Sequence, residues 1–427
     1  MKLVRIGICV AMAFAVLLHG AVEGWSESIF EIGAAVLLLV WAFHIFREPD
    51  LTLRWSPLNW PLLGLLLWGL VQLLAGWTAY PYLTRVELLR WTAYFIYFFL
   101  AAQVFREKRD IKMLVWFLIL LGFFIGLFGI VQHFTFNGKL YWIRKITGGG
   151  IPFGPFVNRN HFAGFMELTV PLGLGLLATK GVRKELVPLT ALFTVVQIGA
   201  LVLSGSRGGI VGFVFGLGVL AVVLWIRRTA AAQFGAAAMI LLAALTLVAW
   251  LGIGEVAERF AKVGPGEVSL MRRGVMLNGS WHIFLDHPWT GTGAGTLIDV
   301  YPRYEGLYDG KVIEHAHDDY VEMLADMGLP GGLLAAAFLI LLFRGAFQEV
   351  RKNQSALSAG VHAGAIAACG SLLLHSFVDF NLHIPSNAAL FLLLGYLATS
   401  EAMPSIEMRR VKRYTVPIVD TVVSARP

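Results

Sequence analysis

The chain has 427 residues, 57% of them hydrophobic and only 14% charged, with a net charge of +7. Soluble domains carry about 25% charged residues, so a chain this apolar has too little polar surface to be a set of water-soluble domains. The positive balance does not indicate nucleic acid, because no basic stretch is interleaved with aromatics, and Lys and Arg accumulate in the cytoplasmic loops of membrane proteins.

Apolar runs of about 20 residues, enough to cross ~30 Å of hydrocarbon as a helix, recur from one end of the chain to the other. Lys2 and Arg5 before the first run resemble the start of a signal peptide. That run is long for one and a second span follows closely, which predicts a retained helix. Spans are predicted near 3–22, 29–46, 58–76, 84–105, 112–134, 160–179, 186–203, 209–226, 232–252, 320–343, 358–377 and 387–403. The short alternating strands of a barrel are absent, so the predicted fold class is an all-α integral membrane protein of about twelve transmembrane helices. Cys9 and Cys369 lie inside apolar runs and are expected to be small buried hydrophobes.

Basic residues alternate between the loops. Lys2 and Arg5, Arg47 and Arg54, Arg106 to Lys112, Lys180 to Lys184, Arg227 and Arg228, Arg344 to Lys352, and Arg409 to Arg413 fall on one side. The positive-inside rule makes that side cytoplasmic and puts both termini there. The expected organisation is nine helices in residues 1–253, a large outer loop over 254–319, three helices in 320–403 and a basic cytoplasmic tail over 404–427. Within the loop, Glu255 to Phe260 and Arg273 to Leu285 have helical character, and His287 to Thr296 is rich in Gly and Thr.

Four motifs on the outer side carry candidate chemistry. Asn158, Arg159, Asn160 and His161 open the sixth span; one Asn can cap the helix, but four polar groups in succession point to a substrate-facing mouth. Glu167 lies deeper in that span with no partner legible in the sequence. Ser204 to Gly209, "SGSRGG", puts Arg207 at a membrane boundary, either as a snorkelling residue in a tight turn or as an anion clamp. The clamp follows from glycines that admit close backbone approach and from a guanidinium suited to bidentate phosphate contact. His315, His317, Asp318 and Asp319 gather before the tenth span without recognised metal spacing, and a neutral His there suits general-base work on a hydroxyl. His375 and Asp379, four apart at the end of the eleventh span, are expected to hydrogen-bond each other, with Pro385 and Asn387 marking the turn into the last.

In this order the residues resemble the family of O-antigen ligases and O-antigen polymerases, which includes related protein oligosaccharyltransferases. The ligase signature is His, a small polar residue, nine positions, Gly, two positions and a small residue; His317, Asp318, Gly328 and Gly331 fall at that spacing, with Asp in place of the usual Asn, Ser or Gln. Arg207 matches the arginine of the "SGSRGG" stretch. Arg273, fourteen positions before His287 and Pro288, matches the arginine of the loop helix, although Leu277 stands where an aromatic is common and Trp281 follows a turn later.

The resemblance implies a C-type glycosyltransferase-like membrane fold at the periplasmic face of a bacterial inner membrane. The implied donor is an undecaprenyl-diphosphate-linked glycan. The implied acceptor is lipid A-core in a ligase, a second glycan repeat in a polymerase, or a protein in an oligosaccharyltransferase. His317, Arg207 and Arg273 are the implied catalytic residues: His317 takes or orients the acceptor hydroxyl, while the arginines hold the diphosphate and its developing charge. Asn158, Arg159, Asn160, His161, Arg272, His315 and Asp318 are candidate substrate contacts. No cofactor and no essential metal are expected, since two guanidinium groups can supply the charge stabilisation. A small-anion transporter of the bicarbonate kind is the alternative from another class; it would place its polar groups at the bilayer midplane on broken helices, whereas here they cluster at the outer boundary and in the large loop.

Overall fold

The computed structural model describes residues 1–47, 53–145, 151–227, 242, 246, 268–306, 310, 312–352 and 355–401. Its helices are α1 (Lys2–Leu17), α2 (Gly24–Arg47), α3 (Asn59–Leu74), α4 (Pro81–Val104), α5 (Lys108–Phe134), α6 (Arg159–Ala178), α7 (Val187–Leu203), α8 (Arg207–Ile226), α9 (Val268–Asp286), α10 (Asp319–Val350), α11 (Ala356–His375) and α12 (Pro385–Thr399). Strand structure among the described residues is a two-residue antiparallel hairpin, Lys139–Leu140 against Arg144–Lys145. The ninth predicted span, apart from residues 242 and 246, lies outside the described residues, as do the helical expectation for Glu255 to Phe260 and the tail over 404–427.

Seven described helical segments are long and apolar enough to cross a membrane: Gly24–Arg47, Lys108–Phe134, Arg159–Ala178, Lys184–Leu203, Arg207–Ile226, Asp319–Val350 and Ala356–His375. α3 and α12 are apolar but shorter. α1 has 16 residues. α4 carries Glu87 and Arg90, which are compensated across the bundle: Arg90 pairs with Glu87 at 2.7 Å and with Glu27 of α2. The chain is thus an all-α membrane protein.

Helix starts are set by local chemistry. Pro81, Pro188 and Pro385 sit in the first turns of α4, α7 and α12, where the missing N–H costs nothing. Asn158, Ser206, Asp318 and Ser355 cap α6, α8, α10 and α11 with side-chain oxygens.

α6 and α11 form the buried centre. Glycines let their backbones meet: a Cβ on Gly364 would lie 2.8 Å from Leu172 Cα, and one on Gly360 would lie 2.8 Å from Leu176 Cα. Small residues four apart are what a lipid-embedded pair uses to gain close van der Waals packing. α8 packs on both, again through glycine: a Cβ on Gly212 would meet Glu167 Oε2 of α6 at 2.6 Å. α10 packs against α3, α9 and α12 on another flank.

α10 bends at Gly328, which has φ 62° and ψ −168°. The bend frees carbonyls that the "HPWTGTG" loop and Trp68 of α3 then satisfy. Thr292 N donates to Ala325 O at 3.0 Å, Gly293 N to Asp326 O at 2.9 Å, and Trp68 Nε1 to Met327 O at 2.8 Å. Leu329 N in turn donates to Pro288 O at 2.7 Å. The loop over residues 287–296 is thereby stitched to the bundle near the His317 segment.

Candidate active site

The site is built at the starts of α6, α8 and α10 and at the end of α11. Its hub is Asp379, in the turn between α11 and α12, with no solvent exposure. Asp379 Oδ2 accepts a hydrogen bond from Asn160 Nδ2 and lies 3.8 Å from an Nη of Arg273. Its Oδ1 lies 3.3 Å from His317 Nδ1 and 3.7 Å from His161 Nε2, and accepts from Phe380 N at 2.9 Å. Burial by itself raises the Asp379 carboxyl, but the facing His161 and His317 imidazoles outweigh it and hold the group well below the usual carboxylate range. The hub is therefore anionic.

Phe380 is the apolar pivot of the same turn. The rings of His161 and His317 meet it edge-on at 4.7 and 4.8 Å, and His315 stacks on it at 4.4 Å. His317 itself has φ 53°, a left-handed conformation that a non-glycine residue keeps only under outside constraint. The constraint is visible on both sides. His315 Nδ1 and Ala316 N bond the two oxygens of Glu322 at 2.7 and 2.8 Å, and Asp318 Oδ1 accepts from Tyr320 N and Val321 N at 3.0 Å.

A deeper network lies behind the hub. Glu167 Oε1 meets His375 Nδ1 at 2.7 Å and its Oε2 accepts from Ser371 Oγ at 2.8 Å, which supplies the partner the sequence left open. The expected His375–Asp379 bond is not what forms. α11 ends at His375, so the four-residue helical relation to Asp379 is broken, and His375 turns inward to Glu167. The "SGSRGG" glycines press on this network: a Cβ on Gly208 would stand 2.8 Å from His375 Nε2. Arg207, half-buried in the first turn of α8, thus follows a backbone seated on His375 and Glu167.

Of the residues singled out in sequence, His317, Arg273, Asn160 and His161 converge on one carboxylate, and His315 joins them through Phe380. Asn158 and Asp318 have capping jobs. Arg159 is half-buried, and its Nη1 is enclosed without a hydrogen-bond partner among the described residues. Arg272 is half-buried beside Arg273 on α9. The central place of Asp379 and Phe380 was not anticipated, nor were the roles of Glu322 and His383. His383 places Nδ1 2.8 Å from Asp319 Oδ1 and Nε2 3.3 Å from Glu322 Oε1. Burial lowers the His383 imidazole, but Glu322 and Asp319 more than compensate and lift it to about 10. His315, Glu322 and His383 are the described residues able to converge on a metal ion. A cavity of about 470 Å³ lies alongside, walled by Leu65, Trp91, Leu333 and Phe391 and reaching Asp319 and His383.

Histidines, an arginine-bearing helix and a buried carboxylate thus meet at one end of a helical membrane bundle, and comparison with known proteins shows what part of the chain is similar to a known family. Residues 192–336, which include Arg207, Arg273, His317, Gly328 and Gly331, match the family model described as O-antigen ligase. The match spans most of α7, all of α8 and α9, and the first half of α10. Over 374 residues, 80% of this chain and 72% of the relative, the sequence is 26% identical to the teichuronic acid biosynthesis protein TuaE of Bacillus subtilis (strain 168). Asn160, His161 and Asp379 lie outside the matched stretch and are joined to it only by the fold.

Proposed function

We propose that the protein transfers a glycan from an undecaprenyl-diphosphate-linked donor to an acceptor hydroxyl at the periplasmic face of the inner membrane, with lipid A-core as acceptor in the ligase form of the reaction. The observation that carries this is the convergence of His317, His161, Asn160 and Arg273 on Asp379. With Nδ1 turned to the Asp379 carboxylate, His317 keeps Nε2 as its basic nitrogen. The acceptor oxygen attacks the anomeric carbon, its proton passes to His317 Nε2, and the bond from that carbon to the phosphate oxygen breaks. The electron pair leaves with the lipid diphosphate, whose charge Arg273 and Arg207 stabilise. Arg159, with an enclosed and unsatisfied guanidinium nitrogen, and Arg272 are secondary contacts for diphosphate or sugar. The apolar cavity beside α10 suits the hydrocarbon of a lipid-linked substrate.

The likeness to a protein of teichuronic acid biosynthesis favours chain polymerisation as a second reading, in which the acceptor hydroxyl belongs to a second lipid-linked glycan. Small-anion transport has less support. Among the described helices α10 is the one with a non-helical break, and there the freed carbonyls are taken by the "HPWTGTG" loop and by Trp68 and Gln72 of α3. The test is glycan transfer by the purified protein supplied with a lipid-diphosphate glycan and either lipid A-core or a second lipid-linked glycan. Transfer to neither, with the donor bound, overturns the proposal.

A further inference from the structure

We propose that His315, Glu322 and His383 bind one divalent transition-metal ion of the Zn²⁺ type, and that this ion fastens the segment carrying His317 without taking part in glycosyl transfer. Three parts of the chain meet here: the strand-like approach to α10, the first turn of α10, and the turn before α12. His315 Nδ1 lies 2.7 Å and His383 Nε2 lies 3.3 Å from the same oxygen, Glu322 Oε1. All three ligand atoms lie within 4.8 Å of one another. Ligand atoms of a tetrahedral zinc site stand about 3.4 Å apart, so side-chain adjustment alone brings the set onto an ion.

The surroundings are those of a metal site as well. Asp319 Oδ1 takes the other nitrogen of His383 at 2.8 Å, and Asp319 Oδ2 is fixed by Leu382 N at 3.1 Å. Glu322 Oε2 is fixed by Ala316 N at 2.8 Å. A carboxylate behind a ligating imidazole orients it and strengthens it as a donor.

Charge points the same way. Asp319, Glu322 and Asp326 all project from one stretch of α10 into buried positions, with 5, 2 and 4% exposure. Buried carboxylates are paired or bound to a metal, and an ion shared with His315 and His383 would pair Glu322. Two imidazole donors favour zinc and its neighbours over magnesium or calcium. A quarter of the His315 side chain is exposed, which gives an ion a way in.

The consequence concerns His317. Its left-handed backbone must be held from outside, and an ion on His315 and Glu322 would hold it two residues away. The proposal does not depend on glycan transfer, because its readouts are metal content and stability. Untagged full-length protein, purified in detergent without chelator, should contain about one equivalent of zinc or a similar metal by mass spectrometry. Stripped protein should regain its melting midpoint on adding Zn²⁺, and added Co²⁺ should give the visible absorption of a low-coordinate nitrogen–oxygen site. Glu322→Gln and His383→Gln should weaken Zn²⁺ binding by about 10–100-fold or more, while His317→Ala should retain it. Should those ligand variants fail to fold, the Co²⁺ spectrum and Zn²⁺-dependent melting of the wild type still decide. Metal-free wild type with neither Co²⁺ absorption nor a Zn²⁺-dependent shift would mean that protons alone hold the network, and the proposal would fall. Loss of metal in His317→Ala would overturn the ligand assignment.

Discussion

Asp379 has four polar side-chain neighbours contributed by three separate segments of the chain. A buried carboxylate in that setting fixes the tautomer of an imidazole, so that the opposite nitrogen is the base. His317→Ala should reduce transfer by about 10²–10⁴-fold while leaving donor binding largely intact, read from initial rates and lipid-donor binding on the same preparation. Asp379→Asn keeps the shape and the bond from Asn160 but removes the charge, and should fall in the same range with a similarly small effect on donor binding. Normal turnover in Asp379→Asn would reduce the hub to a packing element. Arg273→Ala should cost more transfer than Arg272→Ala, because Arg273 is placed at 3.8 Å from Asp379; equal losses would show that both arginines share the diphosphate. The residue types of this site were legible in the sequence wherever polar groups crowd an outer boundary, as at Asn160, His161 and His317. The hub was not, because Asp379 stands one turn beyond the end of α11 and its partners come from residues 160, 161, 273 and 317. Such separations leave no periodicity to read.

The kink in α10 explains in physical terms why a glycine, Gly328, stands within the helix that follows His317. Gly328 takes a backbone conformation that side chains rarely adopt, and a Cβ there would press on Gly291 N and Trp289 O, both at 2.8 Å. Gly328→Ala should therefore lose about 1–3 kcal/mol of stability, seen as a lower melting midpoint in detergent, and should loosen the loop that carries Arg273. Gly218→Ala in α8, where a Cβ would meet nothing within 4 Å, should be neutral or slightly stabilising. A Gly328 variant as stable as the wild type would mean that the loop is not braced by the bend. Helix positions were legible because a lipid-facing helix announces itself as an uninterrupted apolar run: the span predicted near 186–203 is α7 at Val187–Leu203, and that near 58–76 is α3 at Asn59–Leu74. The bend was hidden inside such a run, since hydropathy is blind to where backbone hydrogen bonds break. The charges of α4 were hidden for the converse reason: Arg90 is tolerated only because Glu27 of α2 and Glu87 face it.

Across the described residues, segments assigned to one side by their basic content touch each other. On the basic side Arg5 pairs with Asp110, Gln103 bonds Arg54, Thr179 Oγ1 donates to Ala356 O at 2.9 Å, and Arg227 donates to Val350 O at 3.0 Å. On the other side His19 Nδ1 meets Pro155 O at 2.8 Å, Ser386 N donates to Gly20 O at 3.0 Å, Ala79 N donates to Thr292 O at 2.7 Å, and Asp319 N donates to Ser376 O at 2.9 Å. This two-sided sorting is independent of the charge count that suggested it. It leaves one sign undetermined, namely which side faces the cytoplasm, and the Lys/Arg excess assigns that role to the side of Arg5 and Lys108. On that assignment the candidate site would open outward, the side on which the proposed lipid-linked donor is presented. Arg303 and Lys108 are both exposed and mark the two sides. In a background lacking Cys9 and Cys369, Arg303→Cys should react with a membrane-impermeant maleimide in cells whose outer barrier has been opened, and Lys108→Cys should react only after the inner membrane is lysed. Labelling of Lys108→Cys alone in unlysed cells would place Asp379 and its histidines in the cytoplasm. An undecaprenyl-linked donor presented from the periplasm could not then reach them, and the search for a substrate would turn to activated sugars on the inner face.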